Sequence, residues 1–279
     1  MGTLGTTKCG NIEFKWGERT YVIGIINVSP DSFSGDGLSD AQSALEQAQR
    51  MVDEGADMLD VGGETTRPGA NPITVEEELR RVIPVLKLLY PKVNVPLSID
   101  SYKYEVASLA LDAGASMIND QWCLKKDAQL AQLAAERGVP LILMNNLRDI
   151  DTKGIDVVAE TLSTLSSGIN TALKAGVPFE NIIVDPGIGF LKSWKHDLAI
   201  IRRLDELKVL KRPILLGPSR KSFIKQVLDL PVEERVEGTA AAVAIGITRG
   251  ADMIRVHDVK QMVRLSKMSD AILRPLIEK

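Results

Sequence analysis

The 279-residue sequence is poor in cysteine and in aromatics, and it has no long apolar run. Its two cysteines, Cys9 and Cys123, are too few for a disulfide framework and lack metal-ligand spacing. A reducing cytoplasm is the expected compartment. No apolar stretch reaches the ~18 residues of a membrane span, and no charged-then-apolar leader opens the chain, so no membrane anchor is expected. Met1-Gly2 with Thr6 formally fits a myristoylation pattern, but residues 1–18 read as a polar N-terminal extension. There is no basic excess. The formal net charge of -3 argues against nucleic acid or an anionic membrane as partner, so any anion site must be local. Neither GxxxxGK[ST] nor GxGxxG occurs, which weighs against those nucleotide sites. No His-x-His or Cys cluster offers a transition-metal site, and no Ser-His-Asp set is evident. His196 reads as a surface residue. With aromatics at 4% of the chain, Phe33 and Phe190 stand out in Gly-rich loops. Each is read as a lid or stacking surface, or as an ordinary loop anchor.

What the sequence does have is alternation of apolar strands with amphipathic helices. Tyr21 to Ile26 is apolar and β-branched, then breaks into the polar, Gly-rich NVSPDSFSGDG. Strands are predicted at 58–61, 95–99, 116–118, 139–144, 181–184, 213–216 and 253–256. Helices are predicted between them, at about 40–54, 75–89, up to 112, 128–137, 156–175, 197–208 and, either side of an acidic turn, 223–228 and 238–249, with a terminal helix from 259 to about 274. Thr74 with Glu77 has the capping-box pattern. Eight strand–helix units without an internal linker predict one domain over 1–279, a closed (β/α)8 TIM barrel with long, mobile loops after strands one and two. An open doubly wound sheet is the alternative.

In a barrel, chemistry sits where strands become loops at their C-terminal ends. Asn27, Asp31, Asp100, Asn119, Asp185, Lys221, Arg255 and His257 all fall there. Ser219-Arg220-Lys221-Ser222 leaves a strand and opens a helix, a setting that receives anions. Arg255 and His257, with a single residue between them, project to the same side. Lys221, Arg255 and His257 are therefore expected to converge as cations on the corner of strands seven and eight. Asp100, Asn119 and Asp185 offer carboxylate and amide groups to a flat polar heterocycle, although each could instead cap a helix. Mg²⁺, held by one or two protein oxygens plus substrate phosphate, fits Asn27.

INVSPDSFSGDG at 26–37, DVGGETTRPG at 60–69, SIDS at 98–101, IND at 118–120, LM at 143–144, DPGIGF at 185–190, SRKSF at 219–223 and RVHDV at 255–259 occur in order. Together they resemble the dihydropteroate synthase family over nearly the whole chain. The resemblance implies a (β/α)8 barrel, usually a homodimer, that joins p-aminobenzoate to dihydropterin hydroxymethyl diphosphate, releasing diphosphate and forming dihydropteroate for folate synthesis. It implies that Asp100, Asn119, Asp185 and Lys221 hold the pterin. Thr66, Arg255 and His257 would hold the diphosphate, and Asn27 would bind Mg²⁺. Phe33, Thr66, Arg67, Pro68, Phe190 and Ser222 would shape the p-aminobenzoate site, and Met144 would line the substrate pocket. Asp100, Lys221, Arg255 and His257 are the expected catalytic set. Sulfonamides mimic p-aminobenzoate, so that region would also govern their binding. The chain departs from the family pattern at Gly35-Asp36, at Asn145 where a His is common, and at Leu191-Lys192-Ser193. A pterin-dependent methyltransferase and a non-catalytic pterin-binding barrel remain as alternatives. The first would have no use for a diphosphate set, and the second none for a lid.

Overall fold

The computed structural model describes residues 4–28, 37–65, 71–148, 154–191 and 193–274. An antiparallel hairpin, β1 (Thr6–Cys9) and β2 (Ile12–Lys15), precedes eight parallel strands. These are β3 (Tyr21–Asn27), β4 (Met58–Gly62), β5 (Leu97–Asp100), β6 (Met117–Asp120), β7 (Leu141–Met144), β8 (Ile182–Asp185), β9 (Leu215–Leu216) and β10 (Met253–Val256). The sheet runs β8-β7-β6-β5-β4-β3-β10-β9. A parallel bridge from Val184 to Ile214, with Val184 N–H donating to the Pro213 carbonyl at 3.0 Å, joins its two edges. The predicted barrel is therefore closed, and the open-sheet alternative falls.

Helices cover the outside: α1 (Gly37–Asp53), α2 (Val75–Leu89), α3 (Tyr104–Asp112), α4 (Gln129–Arg137), α5 (Val157–Lys174), α6 (Trp194–Arg202), α7 (Ser222–Leu228), α8 (Val236–Arg249) and α9 (Val259–Leu273). Local chemistry sets their ends. Thr74 Oγ1 accepts the Glu77 N–H at 3.2 Å, but Glu77 turns its carboxylate to Arg80 and Arg81, so only half of the capping box forms. Asp156 caps α5 and Ser193 caps α6. Helix α6 thus starts at 194 rather than 197, and it gives way to a 3-10 segment at Leu204–Leu210. Among the described residues, no helix is long and apolar enough to cross a membrane.

Period-two alternation divides every strand. Val22, Leu59, Val61, Ile99, Ile118, Leu141, Val184 and Ile254 face the helices in the larger core. Ile23, Met58, Met117, Ile142, Ile183, Leu215 and Met253 fill the barrel's lower interior. Residues 1–18 are expected to be a polar extension; the described part, from residue 4, is instead a packed hairpin. The hairpin drives Cys9, Phe14 and Trp16 into that same lower cluster. Phe14 and Tyr21 meet edge-to-face, with ring centroids 4.9 Å apart, and Trp16 Nε1 donates to Thr7 Oγ1 at 2.8 Å. Burying each large ring contributes about 2–3 kcal/mol, and the hairpin closes the barrel's N-terminal end.

Candidate active site

The same alternation builds the site at the other end. Two residues beyond the lower interior layer, each strand presents its next inward side chain: Asp60 above Met58, Asn119 above Met117, Asp185 above Ile183, Arg255 above Met253. Asp100 follows the buried Ser98 in the same way. Met144 above Ile142 belongs to the same layer, and continuing the step outward reaches Asn27 on β3, Gln121 past β6 and His257 past β10.

These groups form one network. Arg255 donates from Nε to Asp60 Oδ2 at 2.6 Å and from Nη2 to Asp100 Oδ2 at 2.7 Å. Asp60 also accepts from Ser98 Oγ at 2.5 Å and Asn119 Nδ2 at 3.0 Å. Asp100 takes a further hydrogen bond from Gln121 Nε2. Asp185 accepts the Gly187 N–H at 2.7 Å and interacts electrostatically with Lys221. Lys221 Nζ donates to the Ile188 carbonyl and lies 4.8 Å from the centre of the Phe190 ring. The expected convergence of Asp100, Asn119, Asp185, Lys221 and Arg255 is therefore present. Asp60 was not anticipated. It sits inside an apolar strand, and only the alternation Met58, Asp60 would have exposed it.

Electrostatics assign protonation. Burial pushes Asp100 up to about 7; Arg255 opposes the shift and Asp60 adds to it. Burial likewise raises Asp185, against Lys221. Burial also lowers Lys221 to about 8, while Asp185 pulls the other way. His257 corrects an expectation: burial, then the charge of Arg255, push it down to about 4, so it is a neutral imidazole rather than a cation. Its main-chain N–H donates to Ser219 Oγ at 3.1 Å, and its Nδ1 pairs with that hydroxyl at 2.9 Å. With the hydroxyl donating to Nδ1, the ring proton sits at Nε2. Arg220 is also no free anion ligand, because Asp258 holds it at 2.9 and 2.5 Å.

Other predicted positions divide. Phe190 is buried, not displayed as an exposed lid; its carbonyl accepts the Leu147 N–H at 3.2 Å and Arg148 stacks over its ring at 4.2 Å. Met144 is buried on the inward face. Ser222 is the exposed first residue of α7. Asn27 is exposed at the end of β3. Phe33, Thr66, Arg67 and Pro68 lie outside the described residues, as does the Gly35-Asp36 departure. Asn145, where the family pattern has a His, is fully buried and ties β7 to α5 through Thr161 Oγ1 at 2.9 Å. Lys103 Nζ gathers Glu64 at 2.7 Å, Glu78 at 2.6 Å and the Ile73 carbonyl at 2.8 Å. It thereby anchors the chain on both sides of residues 66–70. His196 is half-buried on α6 rather than fully at the surface.

A closed α/β barrel whose mouth carries three buried carboxylates, two amides and two convergent cations defines a class: an enzyme that seats a flat, polar, nitrogen-rich ring. Residues 23–257 match the sequence model of the family described as pterin binding enzyme. The dihydropteroate synthase of Bacillus subtilis is 48% identical over 268 residues, covering 96% of this chain and 93% of that protein. A Clostridium difficile dihydropteroate synthase, crystallised in the presence of pteroic acid, superposes with a TM-score of 0.90 at 44% identity, covering 94% of this chain and 99% of the other. The Xanthomonas albilineans enzyme with 4-aminobenzoic acid gives 0.91 at 39% identity, covering 97% and 98%. The chain belongs to the pterin-binding enzymes and, within them, to the dihydropteroate synthases.

Proposed function

We propose that the chain condenses p-aminobenzoate with the dihydropterin methyl diphosphate, forming dihydropteroate and diphosphate, with the network above as its pterin seat. The observation that carries this reading is the set Asp100, Asn119, Asp185, Lys221 and Arg255 gathered at one barrel mouth. Carboxylates accept the paired N–H groups of an aminopyrimidinone edge. The carbon–oxygen bond to the diphosphate breaks, and the electron pair leaves with the diphosphate. Lys221 supplies positive charge to that leaving group, neutral His257 donates from Nε2, and Arg255, whose Nε and Nη2 are held by Asp60 and Asp100, has Nη1 left to reach a diphosphate oxygen. The methylene carbon left behind is electron-poor, and the Asp100 carboxylate stabilises it electrostatically. The arylamine nitrogen bonds to that carbon and releases a proton to solvent or diphosphate. An arylamine is neutral near pH 7, so no general base is required.

Asn27 suits Mg²⁺: its amide oxygen is a hard ligand, exposed at a strand end beside the mouth. Among the described residues no group of three or more His, Cys, Asp or Glu side chains could hold a metal. When bound, Mg²⁺ would neutralise diphosphate charge.

A homodimer is supported by exposed Ile245 on α8 and Met268 and Ile272 on α9, which are 50%, 63% and 71% exposed. Sedimentation should give about twice the chain mass of 30.4 kDa, and a single-chain mass would refute the dimer. Cytoplasmic residence agrees with two buried free thiols, which burial raises to about 11 at Cys9 and about 12 at Cys123. The decisive assay mixes protein, Mg²⁺, p-aminobenzoate and the pterin diphosphate. Dihydropteroate and diphosphate should appear in equal amounts; their absence would sink the reading.

A further inference from the structure

Gln121 lies one inward step past Asn119, is only 4% exposed, and follows Asp120. The main chain around it is fixed. Asp120 accepts the N–H groups of Trp122 at 2.9 Å and Leu124 at 2.5 Å, and Asn146 Nδ2 donates to the Gln121 carbonyl at 3.2 Å. From this rigid turn Gln121 Nε2 donates to Asp100 Oδ1, while Arg255 holds Oδ2. Its own Oε1 is buried and has no hydrogen-bond partner among the described residues. A buried amide oxygen without a donor is costly. A leucine would avoid that cost, so the amide is not there for packing.

We propose that Gln121 is a positioning residue for the pterin seat: it commits one Asp100 oxygen as Arg255 commits the other, so that the carboxylate is oriented before the ring arrives. The proposal rests on the synthase reading for its consequence, though not for its geometry. A carboxylate has about four acceptor sites. With one on each oxygen taken, the remaining two face the mouth and demand N–H donors from whatever ring enters. The amide also favours the ionised form of Asp100. The charged groups facing Asp100 are Asp60 from β4, Arg255 from β10 and Glu78 from α2, two anions against one cation. A neutral donor is thus the group that offsets the excess negative charge without adding a cation that would compete for the diphosphate.

The test compares the parent enzyme with Gln121→Leu and with Gln121→Glu, which keeps the shape and loses the amide donor. Aspartate carboxyl carbons are labelled and titrated by NMR, with Asp100 assigned through Asp100→Asn. In Gln121→Leu the Asp100 midpoint should rise by about one unit. In Gln121→Glu it should rise further. At pH 7, kcat/KM for the pterin substrate should fall about fivefold in Gln121→Leu, as the ionised share of Asp100 drops from about a half to about a tenth, with the acid limb of the profile moved up by about one unit and KM for p-aminobenzoate unchanged. The melting temperature of Gln121→Leu should equal or exceed that of the parent. An unmoved Asp100 midpoint in either variant would overturn the proposal. So would a lower melting temperature with an unshifted pH profile, the mark of a merely structural amide. If the parent makes no dihydropteroate, the synthase reading fails, and the NMR titration still decides Gln121.

Discussion

Two side chains bracket the working pH of the site. In the proposed reaction Asp100 works as an anion that receives ring N–H groups, and Lys221 as a cation that offsets the charge of the diphosphate. Burial pushes the first up to about 7 and the second down to about 8, so both needs are met together only in a narrow window. The free-enzyme profile, kcat/KM for the pterin substrate against pH, should therefore be a bell with limbs near those values. Lys221→Arg, whose guanidinium stays charged, should lose the alkaline limb. A parent profile flat from pH 6 to 9 would contradict the assignment. At this scale the sequence was readable wherever a polar group ended an apolar strand, as with Asp100, Asn119, Asp185 and Arg255. It was not readable where polarity lay inside the strand or just past it. Asp60 and Ser98 pass for strays within apolar runs, and Gln121 for a loop residue. Adjacent cations were equally indistinct. Arg220 adopts a left-handed φ of 56° and turns to Asp258, while Lys221 turns inward.

Among the elements, the segment after β8 couples sequence to site most tightly. Gly187 has φ +76°, and a Cβ there would come within 1.8 Å of the Asn145 main-chain oxygen. Its N–H holds Asp185, and Gly189 N–H, two residues on, is held by Asp197 at 2.7 Å. Gly187→Ala should cost more than the ~1–3 kcal/mol of the backbone strain alone, because main chain must move. It should cut kcat/KM at least 100-fold by displacing Asp185. Gly138→Ala is the control: φ is +65° at the end of α4, but a Cβ meets nothing within 4 Å. It should cost about 1–2 kcal/mol and leave kcat/KM unchanged. Equal effects in thermal melts and kinetics would remove the steric argument. All eight barrel strands and the helices between them were legible from periodicity. The start of α6 was missed because Trp194-Lys195-His196 lacks an apolar rhythm, and only the Ser193 cap marks it.

For the molecule as a whole, the barrel was legible because eight units without a linker admit few closed arrangements. The hairpin was not legible, because its residues alternate over only four positions and their partners lie across the chain. Its consequence concerns chemical durability. The chamber it covers holds three thioethers, Met58, Met117 and Met253, all fully buried. Oxidised to sulfoxides, these would become polar and swollen inside the floor on which the site stands. Phe14→Ala should cost about 3–5 kcal/mol in a denaturant titration. Under mild peroxide, peptide mapping should find these three methionines intact in the parent and oxidised in the variant; equal oxidation in both would show that the hairpin is no barrier. Thirty-odd ångströms of chain near the N-terminus would then act as an antioxidant seal on a reaction that takes place at the opposite end of the barrel.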